Sequence, residues 1–156
     1  MDTFINEYEM TEDLYVEQYS HAFYFWASML FIFASCMFAI SGWWVLLGLT
    51  VACLFVIGGF AVREQIVLQK AYKAQLQTHG NQPYAIHIEF LPTTIKFVTS
   101  YGANEELPYS AILKSHHKTN LIVFEIDRGY NIAVKKDSFT SGSLTCFVSA
   151  MSVRGL

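Results

Sequence analysis

Charged residues are scarce in this chain, and one long stretch contains none. They make up 15% of the residues, whereas apolar residues make up 53%, and soluble domains average about 25% charged residues. From Gln18 to Val62 the sequence has no Asp, Glu, Lys or Arg over 45 residues. This composition excludes both an ordinary soluble domain and an intrinsically disordered chain.

Cysteines are few and far apart. The three cysteines, Cys36, Cys53 and Cys146, form no C-x-x-C pair. Their odd number and wide spacing argue against a disulfide framework and against a cysteine zinc site. We expect free thiols.

The sequence also lacks the motifs that support common catalytic chemistry. It contains no G-x-S-x-G elbow, no H-E-x-x-H pair and no glycine-rich phosphate loop. The adjacent His116 and His117 would point to opposite faces of a strand, so they would not bind one metal ion together. We therefore expect a protein that is not an enzyme, needs no cofactor or metal, and binds no nucleic acid.

The uncharged stretch has room for two membrane-spanning helices. One span needs about 20 apolar residues to cross a hydrocarbon core of about 30 Å. Ser41-Gly42 divides the stretch into Ala22–Ile40 and Trp43–Val62, and aromatic residues at both ends suit the membrane interfaces. The alternative is a pair of helices buried in a soluble core, but the rest of the chain is too small to cover them.

The charges on either side of the apolar stretch predict its orientation. Residues 1–20 contain six acidic residues and no basic residue, and all ten Lys and Arg residues lie from Arg63 onward. Because Arg63, Lys70 and Lys73 follow the second span, the positive-inside rule places both termini in the cytoplasm and the Trp43-Trp44 turn outside. The acidic start also differs from the basic start of a secretory signal peptide, so we expect the spans to be retained.

Small residues predict how the two spans pack. Ser35 with Ala39, and Gly48 with Ala52, are each spaced by four residues, which allows close approach of helices in lipid. We interpret these pairs as the hairpin seam, with a dimer interface as the alternative. Neither span contains an acidic or basic residue, which argues against an ion pathway, and His21 is expected at the mouth of the hairpin.

Beyond the apolar stretch the pattern predicts a helix and then a sheet. Good helix formers continue from Arg63 to about Gln77, and Gly80 and Pro83 end the helix. Short runs rich in Ile, Val, Phe, Tyr and Thr then predict strands, the first of them with alternating apolar and polar residues. These are Tyr84–Phe90, Thr94–Thr99, Glu106–Ser110, Ala111–His116, Leu121–Ile126 and Tyr130–Val134.

Both ends of the chain are expected to join this sheet domain. Thr3–Met10 alternates like a strand, and Thr11 is placed to cap the helix that enters the membrane. Near the C-terminus, Asp137 or Ser138 is placed to cap a short turn, and apolar residues at helical spacing, namely Leu144, Phe147, Val148 and Met151, predict an amphipathic helix. Five phenylalanines are predicted to form the core of the domain: Phe90, Phe97, Phe124, Phe139 and Phe147.

The predicted organisation therefore has four segments: an N-terminal strand and helix entry at 1–20, a two-span hairpin at 21–63, a linker helix at 64–79 and an antiparallel β domain with a terminal helix at 80–156. The predicted fold class is a membrane α-helical hairpin plus an α+β domain.

Several segments carry a family resemblance. The stretch Tyr8–Asp13, the apolar hairpin, Ile88–Phe90, Asn120–Phe124 and the closing region Ile132–Met151 together resemble the YcxB-like family of small bacterial membrane proteins. The resemblance covers nearly the whole chain. It implies two spans and a small cytoplasmic β domain of the pleckstrin-homology type, and it implies no established reaction or catalytic residues.

Five basic residues of the predicted loops and strands are candidate contacts for anionic lipid headgroups or for a partner. They are Lys114, Lys118, Arg128, Lys135 and Lys136. Each would contribute about 1 kcal/mol near an anionic membrane. The alternative is an ordinary solvated surface, since Glu105, Glu106, Glu125 and Asp127 lie among them.

These features favour a non-enzymatic protein of the bacterial inner membrane, whose partners are the lipid bilayer and an unknown protein. In the first hypothesis the cytoplasmic β domain binds a protein or a lipid headgroup. In the second, the chain is an immunity protein that neutralises a membrane-acting bacteriocin or a secreted toxin. A membrane enzyme or transporter is the third, and the missing intramembrane carboxylates argue against it.

Overall fold

The computed structural model describes residues 3–20 and 23–155. The chain has an α+β fold with a helical hairpin, antiparallel sheets and a C-terminal helix, and it divides into two compact units. One unit is Tyr19–Ala71, and the other combines the N-terminal segment up to Gln18 with the chain from Tyr72 onward. The predicted His21 and the first residue of the predicted span Ala22–Ile40 lie outside the described residues.

The helical unit is a hairpin of two apolar helices. Helix α2 is Phe23–Ile40 and helix α3 is Trp44–Thr78. The predicted break at Ser41-Gly42 is confirmed. Gly42 has a φ of 72°, a left-handed conformation that glycine adopts without strain, and the Trp43 N–H donates to the Phe38 carbonyl at 3.0 Å. The turn therefore closes the end of α2.

Helix α3 runs for 35 residues, well past the end of the apolar stretch at Val62. This confirms the predicted continuation through Arg63. The helix ends where Gly80 and Asn81 both take positive φ, and the Asn81 N–H donates to the Leu76 carbonyl at 2.8 Å. A left-handed glycine after the last turn is a common way to end a helix.

The seam of the hairpin differs from the one predicted from small residues. Ser35 does face the other helix, because its hydroxyl donates to Thr50 Oγ1 at 2.9 Å. Ala39, Gly48 and Ala52 are exposed, and a Cβ added at Gly48 would meet nothing within 4 Å. The predicted packing role is therefore wrong for these three residues. The contact that joins the two helices is the bond between the Ser35 and Thr50 hydroxyls.

The N-terminal strand lies inside a sheet. Strand β1, Phe4–Glu9, pairs with both β2 and β8, which confirms the prediction that Thr3–Met10 joins the sheet. Helix α1, Glu12–Tyr19, follows it, and the Thr11 hydroxyl accepts a bond from the Leu14 N–H at 3.4 Å. The predicted Thr11 cap is confirmed, but the helix that it caps is only eight residues long.

Two sheets form in place of the single predicted one. The remaining strands are β2 Ala85–Phe90, β3 Thr94–Thr99, β4 Asn104–Pro108, β5 Ile112–His117, β6 Leu121–Ile126, β7 Asn131–Lys135 and β8 Phe139–Ser141. One sheet has the order β4-β3-β2-β1-β8 and the other β5-β6-β7, and every pairing is antiparallel. A short 3-10 turn, Tyr109–Ala111, separates β4 from β5, so a continuous sheet is interrupted there.

The end of the chain contains a strand that was not predicted. A short turn is present at Lys136-Asp137, where one was predicted, and strand β8 follows it. Helix α4, Leu144–Val153, is capped by Ser143, whose hydroxyl accepts a bond from the Cys146 N–H at 3.3 Å. Phe139 packs against the core, and strand β8, which contains it, pairs with β1 in the first sheet.

The two sheets and α4 enclose one aromatic core. Phe147 of α4 is fully buried, and its ring lies 4.7 Å from that of Phe90 and 6.3 Å from that of Phe124. Phe97 and Phe139 are half-buried and pack against the same cluster. The five predicted core phenylalanines are therefore confirmed.

Side chains of the N-terminal segment close the outer edge of β7. The fully buried Asn6 donates to the Lys135 carbonyl at 2.8 Å and accepts from the Lys135 N–H at 3.1 Å. The Tyr8 hydroxyl donates to the Ala133 carbonyl at 2.7 Å, and the Gln18 amide donates to the Asn131 carbonyl at 3.2 Å. The strand edge is satisfied without another strand.

Candidate membrane surface and charged sites

The hairpin carries an exposed apolar surface. Helix α3 is long and apolar enough to cross a membrane, and only 6% of its most apolar 18-residue window is buried. Trp44, Val45 and Phe55 are 70%, 87% and 78% exposed. A contiguous apolar surface of this kind marks a membrane or protein contact.

Helix α2 presents a similar surface. Its 18 residues span about 27 Å at the usual rise per residue, and Phe33 and Ile40 are 69% and 84% exposed.

The three cysteines of the chain are free, as predicted.

Two of the five candidate basic residues bind backbone carbonyls of their own domain. The Lys118 ammonium donates to the carbonyls of Glu17 and Gln18, near the C-terminus of α1, where a cation is favourable. The Lys136 ammonium donates to the carbonyls of Lys118 and Thr119. The Glu17 carboxylate accepts from the Asn120 backbone N–H at 2.6 Å. The Lys118 and Glu17 bonds connect the β5–β6 turn to α1. The Lys136 bonds connect the same turn to the segment that follows β7.

The other three candidate residues lie beside carboxylates. Arg128 is 3.4 Å from Glu105, and Lys135 is 3.4 Å from Asp137. Lys114 is exposed and stands in register with Glu125 on β6. The structure therefore brings Lys118 and Lys136 together, whereas nearby carboxylates offset the charge of the other three.

A tyrosine, a carboxylate and an arginine meet at one edge of the domain. The Tyr130 hydroxyl donates to Glu105 Oε2 at 2.6 Å, and Arg128 approaches the same oxygen. Burial, with the bond to Glu105, raises the pKa of Tyr130 to about 12. This hydroxyl stays protonated and serves as a donor, so the group links β4 to the β6–β7 turn. No local pattern indicates this group, because Glu105 and Tyr130 are 25 positions apart in the chain.

A histidine bridges two carboxylates on the outer face of the five-stranded sheet. His87 Nδ1 lies 2.6 Å from Glu7 on β1, and Nε2 lies 2.8 Å from Glu89 on β2. The bond to Glu89, followed by the bond to Glu7, raises the pKa of His87 although burial opposes it. The same bond to His87 lowers the pKa of Glu89, which also faces Lys96 on β3. His87 and Glu89 are two positions apart on β2 and therefore share a face, whereas Glu7 joins them only because β1 pairs with β2.

This histidine site suits strand bridging better than metal binding. Both ring nitrogens are already occupied by carboxylates. Among residues 3–20 and 23–155, no group of three or more His, Cys, Asp or Glu side chains is arranged to hold a metal ion.

A small cleft lies between β5 and α4. Its volume is about 20 Å³, which is room for about one water molecule. Ser115 and His117 of β5 line one side, and Val148 and Met151 of α4 line the other. His116 points away from the cleft and lies 3.8 Å from Glu125. The two adjacent histidines therefore occupy opposite faces of the strand, as predicted.

Comparison of the chain with protein-family models, with curated proteins and with solved structures finds no match. The resemblance to the YcxB-like family stays a prediction.

Proposed function

We propose that the chain is a non-enzymatic integral protein of the bacterial inner membrane, in which α2 and α3 form two spans. The observation that carries this proposal is the exposed apolar surface of α2 and of α3 up to Val62. The most apolar 18-residue window of α3 is 6% buried, and among the described residues α3 is the one helix that is by itself long and apolar enough to cross a membrane. In water such a surface would cause aggregation. In a bilayer its contact with the hydrocarbon core stabilises the folded chain.

The sheet topology supports an even number of spans. Strands β1 and β2 are hydrogen-bonded neighbours although the whole hairpin separates them in sequence. A sheet lies on one side of a membrane, so the chain between Glu9 and Ala85 must cross an even number of times. Both termini then share one compartment. The positive-inside rule, applied to Arg63, Lys70 and Lys73, assigns that compartment to the cytoplasm.

The sheet unit is proposed to act as an interaction module for a protein or a lipid headgroup. Its arrangement of two antiparallel sheets and a C-terminal helix is compatible with the pleckstrin-homology type implied by the YcxB-like resemblance. Its charged side chains are engaged in strand bridges, turn contacts and ion pairs, which is the behaviour of a stable scaffold. Lys114 and the other four candidate cations remain proposed inner-leaflet or partner contacts.

Charge substitutions in α3 test the membrane proposal. Phe55 is 78% exposed, so Phe55→Arg would be tolerated by a soluble chain. In a bilayer an arginine near the centre of a span costs about 2.5–3.5 kcal/mol. We expect a smaller share of this variant in the carbonate-resistant membrane fraction. Ile66→Arg, at a site 45% exposed beyond the apolar stretch, is the matched control and should behave like the parent chain.

Cysteine labelling tests the orientation. In a variant lacking Cys36, Cys53 and Cys146, single cysteines replace Ser41 in the hairpin turn or Thr119 in the β5–β6 turn. An impermeant maleimide should label position 41 in intact cells, and position 119 only after lysis. The reverse pattern would place the sheet unit outside the cell. Recovery of the parent chain in the soluble fraction without detergent would contradict the membrane assignment altogether.

A further inference from the structure

Helix α3 carries an exposed face with two cations just beyond its apolar part. Arg63 and Lys70 are seven residues apart, so at about 100° per residue they lie on one side of the helix, and both are exposed. Ile66 and Val67 lie between them on this side and are 45% and 55% exposed. These four residues form what we call the Arg63–Lys70 face.

The positive charge of this face is not offset by a carboxylate. Within the described part of the chain, neither Arg63 nor Lys70 forms an ion pair. Glu64, the one acidic residue between Arg63 and Lys73, is half-buried and lies about 100° around the helix from Arg63. Lys73 differs from the other two cations, because it is 3.9 Å from Glu12 of α1. The Arg63–Lys70 face therefore combines two cations with exposed apolar side chains.

The Arg63–Lys70 face continues the exposed apolar surface of α3. Val56 and Gly59 precede Arg63 by seven and four residues, so they lie on the same side of the helix. Val56 is 58% exposed, and a Cβ added at Gly59 would meet nothing within 4 Å. In the proposed membrane assignment this side of α3 contacts lipid tails up to Gly59. The headgroups of the same lipids come next along the helix.

The length of α3 places this face at the headgroups of the inner leaflet. Helix α3 begins at Trp44. Along the bilayer normal, at the usual tilt of about 20°, it rises about 27 Å from there to Arg63 and about 37 Å to Lys70. A hydrocarbon core is about 30 Å thick, and about 40–45 Å with both headgroup layers. Arg63 therefore lies near the inner boundary of the core and Lys70 among the headgroups. A helical side chain leans toward the N-terminal end of its helix, which for Lys70 is the membrane end.

We propose that the Arg63–Lys70 face binds the headgroup of an anionic phospholipid in the inner leaflet. The guanidinium of Arg63 and the ammonium of Lys70 contact the phosphate region, while Ile66 and Val67 contact the apolar part of the lipid. A zwitterionic lipid also has a phosphate, but its own cation offsets the charge. Each protein cation near an anionic surface contributes about fivefold in affinity. This proposal rests on the proposed membrane assignment and names the class of lipid that the chain recognises.

Tryptophan quenching by brominated lipids tests the proposal on the full chain in phosphatidylcholine vesicles. The three native tryptophans are replaced by Phe, and Phe60→Trp, at a site 52% exposed one turn before Arg63, adds a single reporter. Quenching by dibrominated phosphatidylglycerol among unbrominated phosphatidylcholine, and by the converse mixture, gives the relative affinity of the two lipids. We expect phosphatidylglycerol to be preferred by about fivefold or more. Leu49→Trp, at a site 61% exposed near the outer end of α3, is the matched reporter and should show no preference.

Charge-removing variants locate the site. Arg63→Gln combined with Lys70→Gln should abolish most of the preference at position 60. Lys73→Gln is the matched control, because it removes a cation that lies beside Glu12, and it should leave the preference unchanged. Equal affinity for both lipids in the parent, or a preference that survives the double substitution, would overturn the site.

The same measurement separates this proposal from the membrane assignment. A reporter at position 60 that neither lipid quenches, while the one at position 49 is quenched, would show that protein covers the Arg63–Lys70 face, and it would overturn the lipid site. If neither reporter is quenched and carbonate releases the chain, the membrane assignment itself is contradicted.

Discussion

Replacement of Phe147 by alanine should destabilise the whole sheet unit, because this side chain joins both sheets. Its ring lies 5.6, 4.7 and 5.1 Å from those of Phe4, Phe90 and Phe139 in the first sheet, and 6.3 Å from that of Phe124 in the second. Phe147 is 0% exposed. Removing a fully buried phenylalanine costs about 3–5 kcal/mol, and part of that loss comes from edge-to-face ring contacts of about 0.5–1.5 kcal/mol each.

The assay must report on the sheets and not on the hairpin. All three tryptophans, Trp26, Trp43 and Trp44, belong to the helical unit, so tryptophan fluorescence would not follow the loss of the sheets. Amide hydrogen exchange of peptides from β2 and β6, measured by mass spectrometry on the full chain in detergent micelles, follows each sheet directly. The expected loss corresponds to exchange that is roughly 10²–10³ times faster, since 1.4 kcal/mol is about tenfold.

Leu113→Ala is the matched control, because this residue lies on β5 and is 58% exposed. Its effect should stay within about 0.5 kcal/mol. A change below about 1 kcal/mol in Phe147→Ala would refute the shared aromatic core. Faster exchange in β6 without a change in β2 would show that the two sheets open independently.

Three further predictions follow from contacts within the sheet unit. Asn6→Ala removes the side chain that bonds both the Lys135 N–H and the Lys135 C=O, so it should lower the free energy of unfolding by about 1–3 kcal/mol for each group left unsatisfied. The measurement is chemical denaturation, and a nearly neutral result would show that water replaces the side chain. Gly142→Ala should also destabilise the unit, by more than about 1 kcal/mol, because Gly142 has a φ of 82° and a Cβ there would collide with the Phe4 ring; a thermal melt that matches the parent would contradict this. The raised pKa of His87 predicts a contribution to stability that is fully present below about pH 6.5 and is lost as the pH rises through the folded-state pKa; in an NMR titration, Glu89→Gln should lower the pKa of His87, and an unchanged titration would show that Glu89 is not its main partner.

Local patterns in the sequence predicted the elements whose signals are local. Gly42 and Gly80 mark the two helix ends because each permits a left-handed turn. The runs of strand-forming residues at Thr94–Thr99 and Leu121–Ile126 match the observed strands residue for residue. Strand β8 was missed because three residues are too few to show a period, and its place is determined by its pairing with β1.

The sites depend on contacts between distant residues, which a single sequence does not reveal. Asn6 and Lys135 are 129 positions apart, and Glu7 and His87 are 80 positions apart. In a linear reading Lys118 and Lys136 are loop cations, and only the fold shows that they bind backbone carbonyls at the turn beside α1. The predicted seam residues of the hairpin were wrong for a related reason. Small residues are common in apolar helices, and their spacing alone does not say which face of a helix contacts the other helix.

The position of β1 constrains the order in which the molecule is assembled. Its two neighbours, β2 and β8, both follow the hairpin in the chain. Strand β1 therefore has no strand to pair with until the hairpin and at least Ala85–Phe90 have been synthesised. Such long-range pairings form slowly because the intervening loop must close first. During that interval the strand is exposed, and an alternating strand with an apolar face is prone to pair with other chains. Glu7 and Glu9 on the outer face of β1 oppose pairing with other chains, because like charges on neighbouring strands repel each other. This protection lasts until β2 pairs with β1 and His87 contacts Glu7.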